Sequence, residues 1–227
     1  MSESDDLKRR IQELEAENGG LKAAFSSLER SYDITLETLG DALDLKEATT
    51  EGHSKRVTAF AIAIARAMGL SREQINTIAR GAFLHDIGKL AIPDKILNKP
   101  GKLTKEEMDV MQEHAHHGYE IVKKIPFLVG AADIVYSHQE RFDGTGYPRG
   151  LRGEQIPLGA RIIAVANTLD SITSDRVYRA AQSLQAAREE ISKWAGRQFD
   201  PEVVKVFLEM PDNIWDDLRR AISAQVH

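Results

Sequence analysis

Apolar positions recur in alternating steps of four and three from residue 5 to about residue 43 of the chain. A heptad repeat that continues over about five heptads is typical of a coiled coil rather than of an amphipathic helix on a globular domain. The pattern therefore predicts one long N-terminal helix with an apolar seam. The seam consists of one series at Leu7, Leu14, Leu21 and Leu28 and a second series at Ile11, Asn18, Phe25, Tyr32 and Leu39.

Asn18 is the one strongly polar position of this seam, and such a residue can fix the register of a two-stranded coiled coil at some cost in stability. The following Gly19 and Gly20 each weaken a helix by about 1 kcal/mol and mark a place where it can kink. We hypothesise that the helix joins two copies of the chain as a parallel homodimer. A single helix that packs back on its own domain is the alternative that the pattern leaves open.

The rest of the chain shows the spacing and the capping signals of α-helices. Apolar residues in the segment Val57–Met68 lie on one helical face, and Ser71–Gln74 and Thr104–Glu107 are capping boxes that begin two further helices. Asp200 followed by Pro201 signals the start of the last helix. The sequence thus predicts an all-α fold. The other predicted helices cover about 105–114, 134–138, 159–174 and 184–195.

Length and composition limit the class of protein. With 227 residues, 42% of them hydrophobic, the chain has enough apolar residues for a packed core, and we predict a coiled-coil helix over 1–40 and a helical domain over 41–227. The net charge of -5 argues against a broad surface for a nucleic-acid polymer. No apolar segment reaches the roughly 18 to 20 residues of a membrane span, which predicts a cytoplasmic protein without membrane insertion. Because the chain has no cysteine, a metal site must use histidine and carboxylate ligands.

His85 and Asp86 lie side by side where an apolar helical run ends, and Gly88 and Lys89 follow. A histidine nitrogen and one aspartate oxygen can bind a divalent ion while the second aspartate oxygen bridges to another ion. Lys89 is placed to face an anion. The pair therefore indicates metal-assisted hydrolysis, although a His-Asp pair by itself is more often a helix cap or a local hydrogen bond.

Three other histidines, His53, His114 and His138, also lie at the ends of apolar helical segments. A helical bundle in which these ends converge builds a site of nitrogen and oxygen ligands, a set that suits iron or manganese. Two such ions about 3.5 to 4 Å apart can hold a phosphodiester and promote its hydrolysis. Of the three histidines at 114, 116 and 117, the sequence favours one at the site and two in solvent.

The segment Gln139–Gly153 contains four glycines and a proline, which predicts an irregular loop whose amides can approach a ligand. Three arginines give the loop positive charge, and the ring of Tyr147 offers a surface on which a base can stack. An ordinary surface turn is the alternative.

Six short motifs follow one another along the chain: Glu51–Val57 around His53, His85–Lys89, Ile92–Thr104, His114 with Gly118, His138–Pro148 and Thr173–Arg179. In this combination and order the sequence resembles the HD-GYP domain, a subgroup of the HD metal-dependent phosphohydrolases, over most of the chain. The resemblance implies an all-helical HD-type bundle that follows the N-terminal coiled-coil helix. It also implies cleavage of the bacterial second messenger cyclic di-GMP, to the linear dinucleotide pGpG or to GMP, with iron or manganese ions.

The resemblance implies a role for each residue that falls on a motif position. Asp86 would bridge two ions, and Lys89 would contact the scissile phosphate. The implied metal ligands are His53, His85, Asp86, His114 and His138, and the implied substrate contacts are Gly144, Gly146, Tyr147, Pro148, Arg176 and Arg179.

Three positions depart from the pattern of the family. Gln139 stands where the family usually has a second consecutive histidine, and an amide is a poorer metal ligand than an imidazole. Asn167 stands where the family usually has an aspartate ligand, so a negative charge that helps to hold a dication is absent. Thr49 replaces a glutamate that accompanies a third metal, which argues for one or two ions rather than three. Asp170 lies one turn after Asn167 but not at the ligand position.

We therefore hypothesise a metal-dependent cyclic di-GMP phosphodiesterase, weakened by these substitutions. The alternative is a degenerate member of the family that binds nucleotide or a partner protein without turnover, with the coiled coil relaying a signal. Gln139 and Asn167 favour this alternative, whereas the His85-Asp86 pair, Lys89 and the Gly-Tyr-Pro loop favour the enzyme. A third hypothesis, hydrolysis of another phosphorylated metabolite, requires the Gly-Tyr-Pro loop to be incidental.

Overall fold

The computed structural model of the protein describes residues 3–46, 52–175 and 180–226. Within these ranges the regular elements are helices, as the sequence predicts. None of these helices combines the length and the apolar character that a bilayer crossing requires. The α-helices are α1 (Glu3–Lys46), α2 (His53–Ala67), α3 (Arg72–Leu84), α4 (Asp94–Leu97), α5 (Lys105–Val122), α6 (Val129–Ser137), α7 (Leu158–Thr173), α8 (Leu184–Lys193), α9 (Pro201–Glu209) and α10 (Asp212–Val226), and 3-10 helices cover Ile87–Ala91, Pro126–Leu128 and Gly153–Gln155.

The chain divides into two compact units, Met1–Thr38 and Leu39–His227. The first unit consists of most of α1, which continues as one helix through the Gly19–Gly20 pair. The large apolar side chains of its seam are exposed, from 37% for Tyr32 to 65% for Leu21. The seam is therefore accessible to another helix.

The second unit has its apolar core around α2 and α7, which pack against each other. Phe60 of α2 meets the ring of Trp215 from α10 edge-on at 5.6 Å between centroids, and Trp215 also contacts Phe207 of α9 at 5.3 Å. All three side chains are fully buried, and burying a side chain of this size contributes about 1.5 to 3 kcal/mol. Because α2 and α7 are held in this core, the first turn of α2 has a fixed position beside the last turns of α7.

The predicted capping boxes are confirmed. The Ser71 hydroxyl accepts a hydrogen bond from the main-chain amide of Gln74, and the Gln74 side chain accepts one from the main-chain amide of Ser71. Thr104 and Glu107 form the same pair of bonds at the start of α5. These reciprocal bonds satisfy amides that the first turn of a helix leaves without partners. They fix the starts of α3 and α5, two helices that lead to His85 and His114.

The 3-10 helix Ile87–Ala91 packs directly against α5 at two glycines. A Cβ added at Gly88 would lie 1.9 Å from the main-chain oxygen of His114 and 2.4 Å from the main-chain nitrogen of Gly118. Only a glycine allows the two main chains to approach so closely. This contact sets the distance between the His85-Asp86 segment and the helix that carries His114.

We expect Gly88→Ala to lower the free energy of unfolding by about 1 to 3 kcal/mol, since the added methyl group has no flexible neighbour that can give way. Urea denaturation of the full chain measures this change. The control is Gly130→Ala, where the nearest atom to the added Cβ is Thr77 Cγ2 at 3.4 Å. That variant should stay within about 1 kcal/mol of the wild type. Equal destabilisation by the two substitutions would contradict the role given to Gly88.

Candidate metal centre

Five side chains that the sequence singles out come together in the second unit. His53 opens α2, His85 is the C-cap residue of α3 and Asp86 follows it, His114 lies within α5, and His138 is the C-cap residue of α6. All five are buried, with at most 6% of each residue exposed. Residues from four different helices thus meet around one carboxylate.

Asp86 belongs to two groups of possible ligand atoms. His53, His85 and Asp86 have ligand atoms that all lie within 4.8 Å of one another, and so do Asp86, His114 and His138. A carboxylate has two oxygens and can serve two ions at once. The arrangement could therefore hold a divalent metal, and Asp86 is available to both groups of ligand atoms.

Three of the histidines are oriented by the same local interaction. In each, Nδ1 lies at hydrogen-bond distance from the carbonyl oxygen three residues earlier. A carbonyl only accepts, so Nδ1 carries the proton, and in the neutral ring Nε2 keeps a free lone pair. The bonds run from His85 to Ala82 (2.6 Å), from His114 to Met111 (2.6 Å) and from His138 to Val135 (2.7 Å).

His53 is oriented instead by a carboxylate. Its Nδ1 donates to Asp170 Oδ2 at 2.7 Å, and Arg56 Nε donates to the other oxygen of Asp170 at 2.5 Å. Burial would raise the pKa of Asp170, but the hydrogen bonds from His53 and Arg56 lower it to about 2, so the group is an anion. His53 and Arg56 thus share a helical face, as their spacing predicts. A carboxylate behind a histidine is a common way to orient a metal ligand.

The buried polar atoms of the centre fit a metal ion. The Nε2 atoms of His114 and His138 lie 3.2 Å apart, and because both rings carry their proton on Nδ1, two lone pairs face each other. His85 Nε2 and Asp86 Oδ1 are buried without a hydrogen-bond partner among the described residues. Unpaired buried acceptors are costly, and a divalent cation is the group that satisfies all of them together.

The protonation states also suit a metal. Burial lowers the pKa of His114 to about 4, with a further contribution from His138, and burial also lowers the pKa of His138. Both imidazoles are therefore neutral at physiological pH, the form that binds metal. Burial would raise the pKa of Asp86, but the neighbouring His85 imidazole and Lys89 ammonium hold it well below its usual range. Asp86 is thus ionised.

Lys89 lies beside the centre, as the sequence predicts. Its ammonium group donates to Asp86 Oδ2 at 2.8 Å, and the side chain is about one fifth exposed, at 19%. It is therefore a cation that borders both the buried carboxylate and solvent.

The Gly-Tyr-Pro loop reaches the same place. The ring of Tyr147 meets that of His114 edge-on at 6.2 Å between centroids, and burial, with the nearby Asp86 charge, raises the Tyr147 pKa to about 12. Tyr147 therefore keeps its proton as a hydrogen-bond donor. A Cβ added at Gly146 would lie 2.3 Å from the main-chain nitrogen of Arg141, so only glycine allows the two main chains to approach so closely here. Gly144, with φ of 82°, adopts the left-handed conformation that favours glycine.

Glu140 anchors this loop, a role that the sequence did not reveal. Its buried carboxylate accepts one hydrogen bond from the Arg149 amide at 2.7 Å and one from the Leu151 amide at 3.1 Å. The Arg149 guanidinium lies over the ring of Tyr136 at 4.8 Å and bonds the hydroxyl of Ser137. These contacts hold the segment after Pro148 against the end of α6.

Other predicted positions have different outcomes. Gln139 and Asn167 are half-buried, and Asn167 lies on α7 one turn before Asp170. His116 is exposed and His117 half-buried, in line with one histidine of this group at the site. Pro148 lines an open cleft of about 530 Å³ beside α5. Thr49, Arg176 and Arg179 lie outside the described residues.

The sequence considered Asp170 only as a substitute ligand for Asn167, whereas in the structure it orients His53. The one signal that pointed to it was its position one helical turn after Asn167. Glu140 had no signal of its own, because its partners are main-chain amides that leave no mark in a sequence.

Comparison with known proteins finds a matching family and relatives that are named phosphodiesterases. The family described as "HD domain" matches residues 37–203. The cyclic di-GMP phosphodiesterase response regulator RpfG of Xanthomonas campestris is 40% identical over 208 residues, which cover 91% of this chain and 54% of that protein. The 3'3'-cGAMP-specific phosphodiesterase 2 of Vibrio cholerae is 34% identical over 223 residues, which cover 95% of this chain and 42% of that protein. The chain spans about half the length of these curated relatives.

A solved structure supports the fold. The cyclic GMP-AMP specific phosphodiesterase V-cGAP3 of V. cholerae aligns with a TM-score of 0.63 over 85% of this chain and 54% of that one, at 22% identity. The likeness confirms the predicted helical bundle.

We expect Glu140→Gln to raise the exchange rate of the Arg149 and Leu151 amides about 10-fold or more, since a hydrogen bond to a charged group contributes about 1.5 to 3 kcal/mol. The amide side chain offers one acceptor and turns a donor toward the second amide. Hydrogen–deuterium exchange of the full chain measures the effect. Glu154→Gln, at an exposed position of the same loop, is the control. Equal exchange at these amides in both variants would refute the anchoring role.

Proposed function

Because the chain belongs to the HD domain family, we propose that it is a metal-dependent phosphodiesterase that hydrolyses cyclic di-GMP. The relative named as a cyclic di-GMP phosphodiesterase bears out the resemblance to the HD-GYP subgroup. The observation that carries the proposal is Asp86, which is shared by two groups of buried ligand atoms and whose Oδ1, like His85 Nε2, has no hydrogen-bond partner among the described residues.

In this proposal the four histidines would hold the metal through their imidazole nitrogens, and Asp86 would hold it through its carboxylate. The neutral imidazoles and single carboxylate favour iron or manganese, and we propose one or two ions. Divalent ions supply Lewis-acid polarisation of a phosphoryl oxygen. The hydrogen bonds on Nδ1 keep each ring in the tautomer that the ligand role requires.

Lys89 and the loop would act on the substrate. The Lys89 ammonium, fixed beside Asp86, offsets negative charge that develops on the phosphate as the ester bond breaks. Tyr147 is placed to donate a hydrogen bond or to stack against a base. Gly144, Gly146 and Pro148 shape the loop around the dinucleotide. For Arg176 and Arg179, the support is the resemblance alone.

A second cyclic dinucleotide is a candidate substrate. One relative is named for 3'3'-cGAMP, which differs from cyclic di-GMP in one base and has the same phosphodiester linkages. The proposed metal ligands face the linkage rather than the base and do not distinguish the two. A non-catalytic nucleotide-binding role, which Gln139 and Asn167 favour, is the other candidate.

The test is to purify the full chain without oxygen, measure bound metal, and assay both dinucleotides with added Fe(II) or Mn(II). We expect turnover of cyclic di-GMP to the linear product or to GMP, abolished in an Asp86→Ala control. We also expect Gln139→His and Asn167→Asp each to raise metal affinity by about 10-fold or more, because each replaces an amide by a better ligand.

Less than one metal per chain together with turnover no higher than in Asp86→Ala would reject the enzyme. Binding of cyclic di-GMP under those conditions would establish the non-catalytic role instead. Turnover of 3'3'-cGAMP alone would keep the reaction type and change the substrate.

We also propose that two copies of the chain pair through the heptad seam as a parallel coiled coil. The exposed apolar side chains of α1 support this pairing, since a stripe of this length in water favours association. Asn18 in the seam would fix the register.

We expect Leu14→Glu combined with Leu21→Glu to convert the dimer to monomer in sedimentation equilibrium, because four carboxylates would face each other in the seam. The control is Ala16→Glu combined with Ala23→Glu, which adds the same charge on the opposite face of α1. A dimer that is equally stable in both double variants would rule out pairing through this seam.

A further inference from the structure

The last turn of α1, which belongs to the second unit, contacts the 3-10 helix that carries Lys89. The ammonium group of Lys46 donates to the carbonyl oxygens of Leu90 at 2.7 Å, Ile92 at 3.2 Å and Lys89 at 3.3 Å. These carbonyls lie where the 3-10 helix ends, the place where helices run out of main-chain donors. The Lys46 ammonium thus bonds three carbonyls that lie three to six residues after the candidate metal ligand Asp86.

The same turn of α1 also contacts the start of α2. The N-cap residue of α2 is Gly52, which has no side chain to cap the helix. Asp44 supplies the missing cap: its Oδ1 accepts from the Ser54 hydroxyl at 2.9 Å, and its Oδ2 lies 3.4 Å from the Ser54 amide nitrogen. Asp44 is buried. A carboxylate there satisfies an orphan amide and is favoured by the helix dipole.

The last turn of α1 therefore places a carboxylate at the start of α2 and an ammonium group at the end of the 3-10 helix Ile87–Ala91. Both of these helices carry site residues. The anion holds the N-terminus of α2, next to His53, and the cation holds the C-terminal end of the helix that carries Lys89. We infer that the last turn of α1 positions the centre, with Asp44 acting on His53 and Lys46 acting on Lys89. For its catalytic consequence the inference rests on the proposed phosphodiesterase activity.

The geometry explains how such contacts reach the chemistry. Lys89 Nζ bonds Asp86 Oδ2, so a movement of the main chain at Lys89 displaces a charge beside the proposed bridging carboxylate. A misplacement of about 1 Å at a reacting centre can cost about 100-fold in rate. In this inference Lys46 and Asp44 act through the main chain at Lys89 and through Ser54, and both are therefore positioning residues.

The first test uses the full chain with Lys46→Met, which keeps the apolar stem and removes the ammonium group. We expect exchange of the amides in residues 87–92 to rise about 10-fold, while amides of the buried helix α7 exchange as in the wild type. We expect kcat for cyclic di-GMP with Mn(II) to fall by about 10-fold with little change in KM, since Lys89 acts on charge that develops in the transition state.

Two variants accompany it. Lys46→Arg keeps a cation that can bond several carbonyls and should restore both readouts. Lys193→Met removes an exposed ammonium group on α8 and should behave as the wild type. Unchanged exchange at 87–92 in Lys46→Met, or a uniform rise across α2 and α7, would overturn the inference for Lys46. If the wild type has no turnover, the proposed function fails, and the exchange pattern still decides the positioning role.

The second test concerns Asp44 and measures binding of Mn(II) to the full chain by calorimetry. We expect Asp44→Ala to weaken binding by about 10-fold, the size of effect that residues behind metal ligands have. Asp44→Asn, which keeps an acceptor for Ser54, should recover part of the loss. The control is Asp41→Ala, one turn earlier, which removes a surface ion pair with Lys55. Equal Mn(II) affinity in Asp44→Ala and Asp41→Ala would overturn the role of Asp44.

Discussion

The candidate metal centre depends on the tautomer of its four histidines. His85, His114 and His138 donate Nδ1–H to carbonyls of their own helices, and His53 donates it to Asp170. Each ring is thereby locked in one tautomer and one orientation. Each neutral ring thereby keeps a lone pair on Nε2, the atom that we propose as the metal ligand beside Asp86.

This arrangement works against the stability of the fold. In the part of the chain that the structure describes, His85 Nε2 and Asp86 Oδ1 are buried without hydrogen bonds, and each unsatisfied group of this kind costs about 1 to 3 kcal/mol. The apolar core around Phe60 and Trp215 offsets this cost, because it holds α2 against its neighbours independently of the site. A protein that keeps such atoms unpaired recovers the free energy when a cation binds.

The surroundings of the centre are held by charged side chains that bond the main chain. Glu140 accepts hydrogen bonds from two amides of the Gly-Tyr-Pro loop. Lys46 donates hydrogen bonds to three carbonyls that follow Asp86 in the chain, and Asp44 caps the helix that begins at His53. Charge-assisted bonds of this kind are stronger than neutral ones. These bonds fix the loop, the end of the 3-10 helix and the start of α2 next to the site.

Most of the helices and the candidate ligands could be predicted from the sequence, because capping boxes such as Ser71–Gln74 and apolar periodicity act over a few residues. The helix that begins at Pro201 is not the last one, contrary to the prediction, because α10 (Asp212–Val226) follows it. Histidine and aspartate in a chain without cysteine likewise limited the metal chemistry. Contacts between residues that are far apart in the sequence could be seen only in the tertiary structure. Asp170 lies 117 residues from His53 along the chain, yet it sets the orientation of the His53 ring. The contacts of Glu140 and Lys46 were likewise seen only in the tertiary structure, since their partners are main-chain groups, which every residue has and no sequence pattern marks.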